Sequence, residues 1–180
     1  IDGKAFRGQV SLSDEYIPRM FEAAKEFNEL PIYIGDSSNL NTAKLKSECI
    51  KLKAKHGSLG LVAVDYLQLM GGSGNNRTEE VTGISRDLKQ LAQDLDCPVL
   101  ALSQLNRDCE KRPDKRLLPS DLRDSGGIEQ DADVIMFVYR DEVYYEDSPD
   151  AGTAEIIISK QREGGLGTVR VGFTGSTVSF

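Results

Sequence analysis

The chain has 180 residues, 39% of them hydrophobic and 28% charged, the balance of an ordinary globular domain long enough for a sizeable core. Its formal net charge of −7 excludes a generally basic coat for nucleic acid, though not a local cationic strip. No apolar run approaches a membrane span, the start Ile1-Asp2-Gly3-Lys4 is no signal peptide, and Cys49, Cys97 and Cys109 lack metal-ligand spacing, so a reducing, cytoplasmic setting is expected.

Ser13 to Leu30 is predicted as an amphipathic helix. Ser13 caps it, Asp14 and Glu15 suit its positive end, and Tyr16, Met20, Ala23 or Ala24 and Phe27 share one face. Pro31 ends it, and Ile32-Tyr33-Ile34 reads as a short strand. Asp36-Ser37-Ser38 and Thr42 lead into a second helix, Ala43 to Lys55, which Gly57 terminates. His56 lies at its end, where the helix dipole favours a protonated ring, and reads as a terminal residue rather than a catalytic one.

The segment Gly60-Leu61-Val62-Ala63-Val64 has no polar side chain before Asp65 and is expected to be a strand buried on both faces of a parallel sheet. A carboxylate at the C-terminal end of such a strand lies where open α/β sheets bind ligands. That is the chemistry of a Walker B motif, in which the carboxylate orients a magnesium ion on nucleotide phosphates. The competing reading is a strand-end Asp capping the next turn, and Asp65 alone does not separate the two. The usual partner, Gly-x-x-x-x-Gly-Lys-Ser/Thr, occurs nowhere in these residues. With no initiator Met either, the chain is expected to be an excised piece of something longer, the part of a nucleotide motor without its phosphate cradle.

Gly71 to Asn76 is expected to be a flexible, poorly ordered loop. A third helix from about Arg77 to Leu95 puts Val81, Ile84, Leu88, Leu91 and Leu95 on its inner face. Pro98 to Gln104 reads as another buried strand, and the neutral amide of Gln104 at its end can meet a terminal phosphate or attacking water without adding negative charge. A long polar stretch follows, Asn106 to Asp133, with six Lys or Arg from Arg107 to Arg123. Within it, Ser120 to Ile128 combines small residues with Arg123, which lets backbone amides approach phosphates closely. Chemistry alone slightly favours a plainer reading, a solvated loop whose Lys111, Arg112, Lys115 and Arg116 are offset by Asp108, Glu110 and Asp114.

Val134 to Tyr139 is the next strand. An acidic connection, Asp141 to Asp150, leads to a hairpin of Glu155 to Arg162 and Thr168 to Phe173, turned at Gly164-Gly165. Lys160 and Arg162 share one face of their strand. They are either a strand emerging into solvent or two cations suited to reach a neighbouring subunit's phosphate site. The whole reads as one α/β domain over residues 1–180, a mostly parallel sheet flanked by helices with a C-terminal antiparallel hairpin.

The segments Asp65-Tyr66-Leu67-Gln68-Leu69-Met70, Ile84-Ser85-Arg86-Asp87-Leu88-Lys89, Ser103-Gln104-Leu105-Asn106-Arg107, Asp121-Leu122-Arg123-Asp124-Ser125-Gly126, Ile128-Glu129-Gln130-Asp131-Ala132-Asp133, Tyr139-Arg140-Asp141 and Ser159-Lys160-Gln161-Arg162 stand in one order at one set of spacings. Together they closely resemble the C-terminal motor domain of bacterial replicative DNA helicases of the DnaB type and their phage relatives, from about Gly8 to Phe173. The resemblance implies an incomplete RecA-like P-loop NTPase core. It also implies a homo-hexameric ring that uses ATP and Mg2+, translocates on single-stranded DNA, unwinds duplex at the fork and meets a primase and a helicase loader. By that resemblance Asp65 is the Walker B aspartate and magnesium ligand, and Gln104 contacts the terminal phosphate. Lys160 and Arg162 enter the neighbouring subunit's ATP site, and Arg123, Asp124 and Gly126 grip the DNA backbone. The family usually has Glu where this chain has Asp124 and Pro where it has Gly165. The family's Walker A Lys and Thr and its catalytic Glu match nothing from Ile1 onward, so the fragment alone is expected to be inactive and to leave a sheet edge or apolar patch uncovered. Alternatives from other classes are a non-hydrolytic RecA-like interaction module and a relative of RecA-type recombinases.

Overall fold

Residues 16–37, 39–122 and 126–180 are described by the computed structural model of the chain. They fall into two units, each with its own contacts. One is built of the segment up to Asp36 with Arg140–Glu155 and Arg170–Phe180, the other of Ser37–Tyr139 with Ile156–Val169.

In the smaller unit Tyr16–Glu29 forms helix α1, within the predicted span, while the expected cap Ser13 lies outside the described residues. None of its residues is buried, and Phe27, expected on an inner face, is 47% exposed. Ile32, Tyr33 and Ile34 are exposed and belong to no strand, which corrects the expected one. Such residues favour extended backbone, but a strand also requires a ladder partner for its N–H and C=O groups. The rest of the unit is tied by polar contacts. Glu142 accepts from the Gly152 backbone N–H (2.8 Å) and from Arg140, whose guanidinium stacks 3.9 Å from the Phe173 ring centre.

The larger unit starts with α2, Thr42–His56, one residue longer at each end than predicted. Asn41 caps it by accepting the Lys44 N–H at 2.8 Å, and Gly57, at φ 88°, closes it with an N–H to the Lys53 carbonyl. Strands β1 (Val62–Val64) and β2 (Val99–Ala101) pair in parallel with Val62 opposite Val99 and Val64 opposite Ala101. Between them α3, Arg77–Leu95, matches the predicted limits. Asn76 caps it by accepting the Glu79 N–H at 2.9 Å. Its expected inner face, Val81, Ile84, Leu88, Leu91 and Leu95, is buried throughout and packs with Val62, Val64, Ile135 and Phe137 into one core. Each such side chain stabilises the fold by about 1.5–3 kcal/mol. A six-residue helix α4, Gly126–Asp131, precedes strand β3 (Val134–Tyr139), and β3, β4 (Thr153–Gln161) and β5 (Gly167–Gly172) form a three-stranded sheet in that order.

Three further expectations are corrected. The strands are buried on one face only: Ala63 is exposed between buried Val62 and Val64, and Leu100 is 43% exposed opposite it. In β3, Val134, Met136 and Val138 are 46, 52 and 53% exposed, alternating with buried Ile135, Phe137 and Tyr139. An all-apolar strand predicts two covered faces, and the layer over the second face is not among the described residues. The loop Gly71 to Asn76 is docked rather than loose. The Gly71 N–H donates to the Leu40 carbonyl at 2.9 Å, and a Cβ on Gly74 would stand 2.7 Å from the Glu80 backbone nitrogen. Finally, α4 occupies residues that read as part of a polar loop. Its signal is the spacing of Ile128 and Ala132 by one helical turn, which puts both against the core.

Candidate functional site

Because β1 and β2 are parallel and in register, they end together, and each leads into a polar residue. The Leu102 N–H donates to the Val64 carbonyl and the Leu67 N–H to the Leu102 carbonyl, both at 2.9 Å, so the chain on either side of Asp65 stays tied to β2. The Asp65–Tyr66 peptide is cis. Asp65 and Gln104 are both exposed here, and neither side chain has a partner among the described residues. This is the C-terminal edge of a parallel pair, where α/β sheets bind ligands.

Gln68 is the residue that sequence reasoning passes over. Its Oε1 accepts the Gln104 backbone N–H and its Nε2 donates to Ser103 Oγ, both at 3.0 Å. Its own carbonyl accepts from the Arg77 guanidinium at 2.6 Å, and Arg77 also pairs with Glu80 at 2.6 Å. One amide thus links the turn after Asp65 to the end of β2. The available signal is a lone amide between Leu67 and Leu69, three residues after the strand-end carboxylate.

Lys160 and Arg162 sit at the other end of the unit's chain, at and just beyond the end of β4. Lys160 Nζ donates to the Glu129 carbonyl at 2.5 Å and the Gln130 carbonyl at 3.3 Å, in the last turn of α4. Cations are favoured at such free carbonyls. The Arg162 backbone N–H donates to the Asp133 carbonyl at 2.9 Å and its Nη1 to Asp133 Oδ1 at 3.2 Å. The other Asp133 oxygen accepts from Lys89 of α3. That ammonium, with the charges of Arg162 and Lys160 beyond it, holds the Asp133 carboxyl below the ordinary carboxylate range.

Of the expected DNA-contacting residues, Arg123 and Asp124 lie outside the described residues. Gly126 opens α4, is exposed, and has open space where a Cβ would stand. Gly127 serves packing instead: a Cβ there would stand 2.6 Å from Thr82 Cγ2 on α3. The basic stretch before the loop is largely neutralised within itself. Lys111 pairs with Asp108 at 2.6 Å, Lys115 reaches the Glu110 carbonyl, and Arg116 lies 4.9 Å from the Tyr139 ring centre. Arg112 binds both oxygens of buried Asp121 at 2.6 Å, a pair that fixes the backbone two residues before Arg123. The three cysteines are free and buried, as small apolar residues.

The chain matches the family described as DnaB-like helicase C terminal domain over residues 1–180. It is 56% identical over 155 residues to the replicative DNA helicase DnaB of Pasteurella multocida (strain Pm70), a match covering 85% of this chain and 33% of that protein. The replicative DNA helicase DnaB of Geobacillus stearothermophilus is 50% identical over 145 residues, covering 79% of this chain and 32% of its own. Among solved structures, that of a phage-scale match, an isolated ATPase domain, superposes with a TM-score of 0.92 and 37% identity over 100% of this chain and 65% of its own. Another, of a DnaB-like replicative helicase studied for its interactions with primase, gives a TM-score of 0.91 and 38% identity over 98% of this chain and 44% of its own. The chain therefore spans about a third of the length of the curated relatives it matches.

Proposed function

This chain belongs to the DnaB-like helicase C-terminal domain family, and on that premise we propose that it serves as the larger part of the ATP-driven motor domain of a replicative DNA helicase. The motor works as a homo-hexameric ring that moves along single-stranded DNA and separates duplex at the fork. The observation that carries this reading is the pairing of Asp65 and Gln104 at the ends of adjacent parallel strands, with both side chains unengaged among the described residues.

A single free carboxylate suits Mg2+, which proteins hold with one or two carboxylates plus substrate phosphates and water rather than in a full cage. In this reading Asp65 holds the magnesium that ATP brings, and that ion neutralises charge on the phosphates. Gln104, its backbone fixed by Gln68, orients toward the terminal phosphate. Lys160 and Arg162 complete the site of the neighbouring subunit, where Arg is suited to charge that develops during phosphoryl transfer. Arg123, Asp124 and Gly126 contact the phosphate backbone of DNA, and repetition around the ring lets an acidic subunit bind DNA through a cationic channel. Residues 1–180 contain no Gly-x-x-x-x-Gly-Lys-Ser/Thr stretch, so they turn over no ATP by themselves. Partners of the whole protein are a primase, the partner studied with the DnaB-like structural relative, and a loader.

The test uses the full-length, ring-forming protein. Wild type should unwind a forked duplex in the presence of ATP. Asp65→Ala should assemble normally yet lose unwinding and ATP turnover together. Retention of both by Asp65→Ala would remove the nucleotide site from this strand end.

A further inference from the structure

We propose that Asp133 is a positioning residue for Arg162, fixing the guanidinium on its own subunit so that its free edge is presented to a neighbour's phosphate. The inference rests on the reading of Arg162 as the residue supplied across the interface. Asp133 holds Arg162 at two points, by its backbone carbonyl (2.9 Å) and by Oδ1 (3.2 Å). Nothing else among the described residues accepts from the guanidinium. Its remaining donors are therefore available, and in a fixed plane.

The need for such a hold follows from where Arg162 stands. It lies just past the end of β4, and its side chain is 60% exposed. An Arg there has many rotamers, and each residue left unfixed adds entropy to be lost when it docks. Anchoring backbone and side chain to one residue removes most of that freedom beforehand, which is how positioning raises rate. Asp133 is itself held from the far side by Lys89, on the helix whose inner face forms the core. Lys160 has a separate mount on the carbonyls of Glu129 and Gln130. Both cations are thus seated on the segment Glu129 to Asp133, not on their own hairpin. An exposed ion pair adds little to stability, so loss of the Asp133 carboxylate should leave folding intact and act on turnover.

The experiment compares Asp133→Ala, Arg162→Ala and the double variant in the full-length ring. Asp133→Ala should lower kcat for ATP by about 10–100-fold, the cost of misplacing a reacting group by about an ångström, with KM and assembly unchanged. The double variant should be no slower than Arg162→Ala alone, because a misplaced group that is absent cannot be misplaced further. Asp133→Asn, which keeps an oxygen acceptor, should recover part of the rate, and Lys89→Met should retain most of it. Full activity in Asp133→Ala beside a crippled Arg162→Ala overturns the proposal, as do additive losses in the double variant. Wild-type activity in Arg162→Ala overturns the interface reading itself, and the role of Asp133 with it.

Discussion

Asp121 is 5% exposed and accepts two hydrogen bonds from Arg112 and one from the Leu118 N–H at 2.8 Å. The Arg112 guanidinium holds its carboxyl below the ordinary carboxylate range, although burial acts the other way. A carboxyl whose folded pKa is lowered stabilises the fold fully above its unfolded value, about 3.9, and that stabilisation fades as pH falls through the folded value. Asp121→Asn should therefore cost about 1–3 kcal/mol at pH 7, the worth of charge-assisted bonds to a buried group. The cost should shrink near the acid end of that window, at about pH 3. Denaturant unfolding of both proteins at the two pH values checks this, and an equal cost at both would contradict it. At this scale the sequence is a partial guide. Asp65, Gln104, Lys160 and Arg162 are legible because each closes an apolar strand. Their holders, Gln68 and Asp133, are not, because a side chain that fixes a distant backbone carries no local pattern. Arg112 reads as one of several solvated cations offset by Asp108, Glu110 and Asp114, since sequence distance says nothing of a buried partner nine residues away.

Helix α4 spans only six residues and begins with two glycines that have different tasks. A Cβ at Gly126 meets nothing within 4 Å, whereas one at Gly127 would stand 2.6–2.8 Å from Thr82 atoms, including its backbone Cα. Gly126→Ala should be neutral or stabilise slightly, since Ala has the better helix propensity by about 1 kcal/mol. Gly127→Ala has the same propensity gain but must push α4 off α3, an overpacking cost of about 1–3 kcal/mol. Thermal unfolding of the two variants side by side decides it, and equal Tm values would mean that the α3–α4 contact yields easily. The element explains its own illegibility: glycines required for close packing erase the helical signal at the site where packing is tightest. By contrast α3 is legible to its ends, because nineteen residues with a continuous apolar stripe and an Asn cap state one period without ambiguity.

At the scale of the molecule, the outward side chains Ala63, Leu100, Val134, Met136 and Val138 are apolar where a one-faced sheet would carry polar groups. The apolar runs reveal these strands and their inner residues but imply two covered faces, since such a run does not say whether its cover lies in the same stretch of chain. The ATPase domain that superposes on this chain extends beyond the match, which covers 65% of it. A motor divided between subunits is the central claim, and mixing two inactive rings tests it most directly. Asp65→Ala subunits retain Arg162, and Arg162→Ala subunits retain Asp65. Joined in one ring, they rebuild complete sites at about a quarter of the head-to-tail interfaces. Single-turnover ATP hydrolysis should then reappear in the mixture although neither parent shows it. Mixed rings that demonstrably co-assemble and remain inactive would contradict the account.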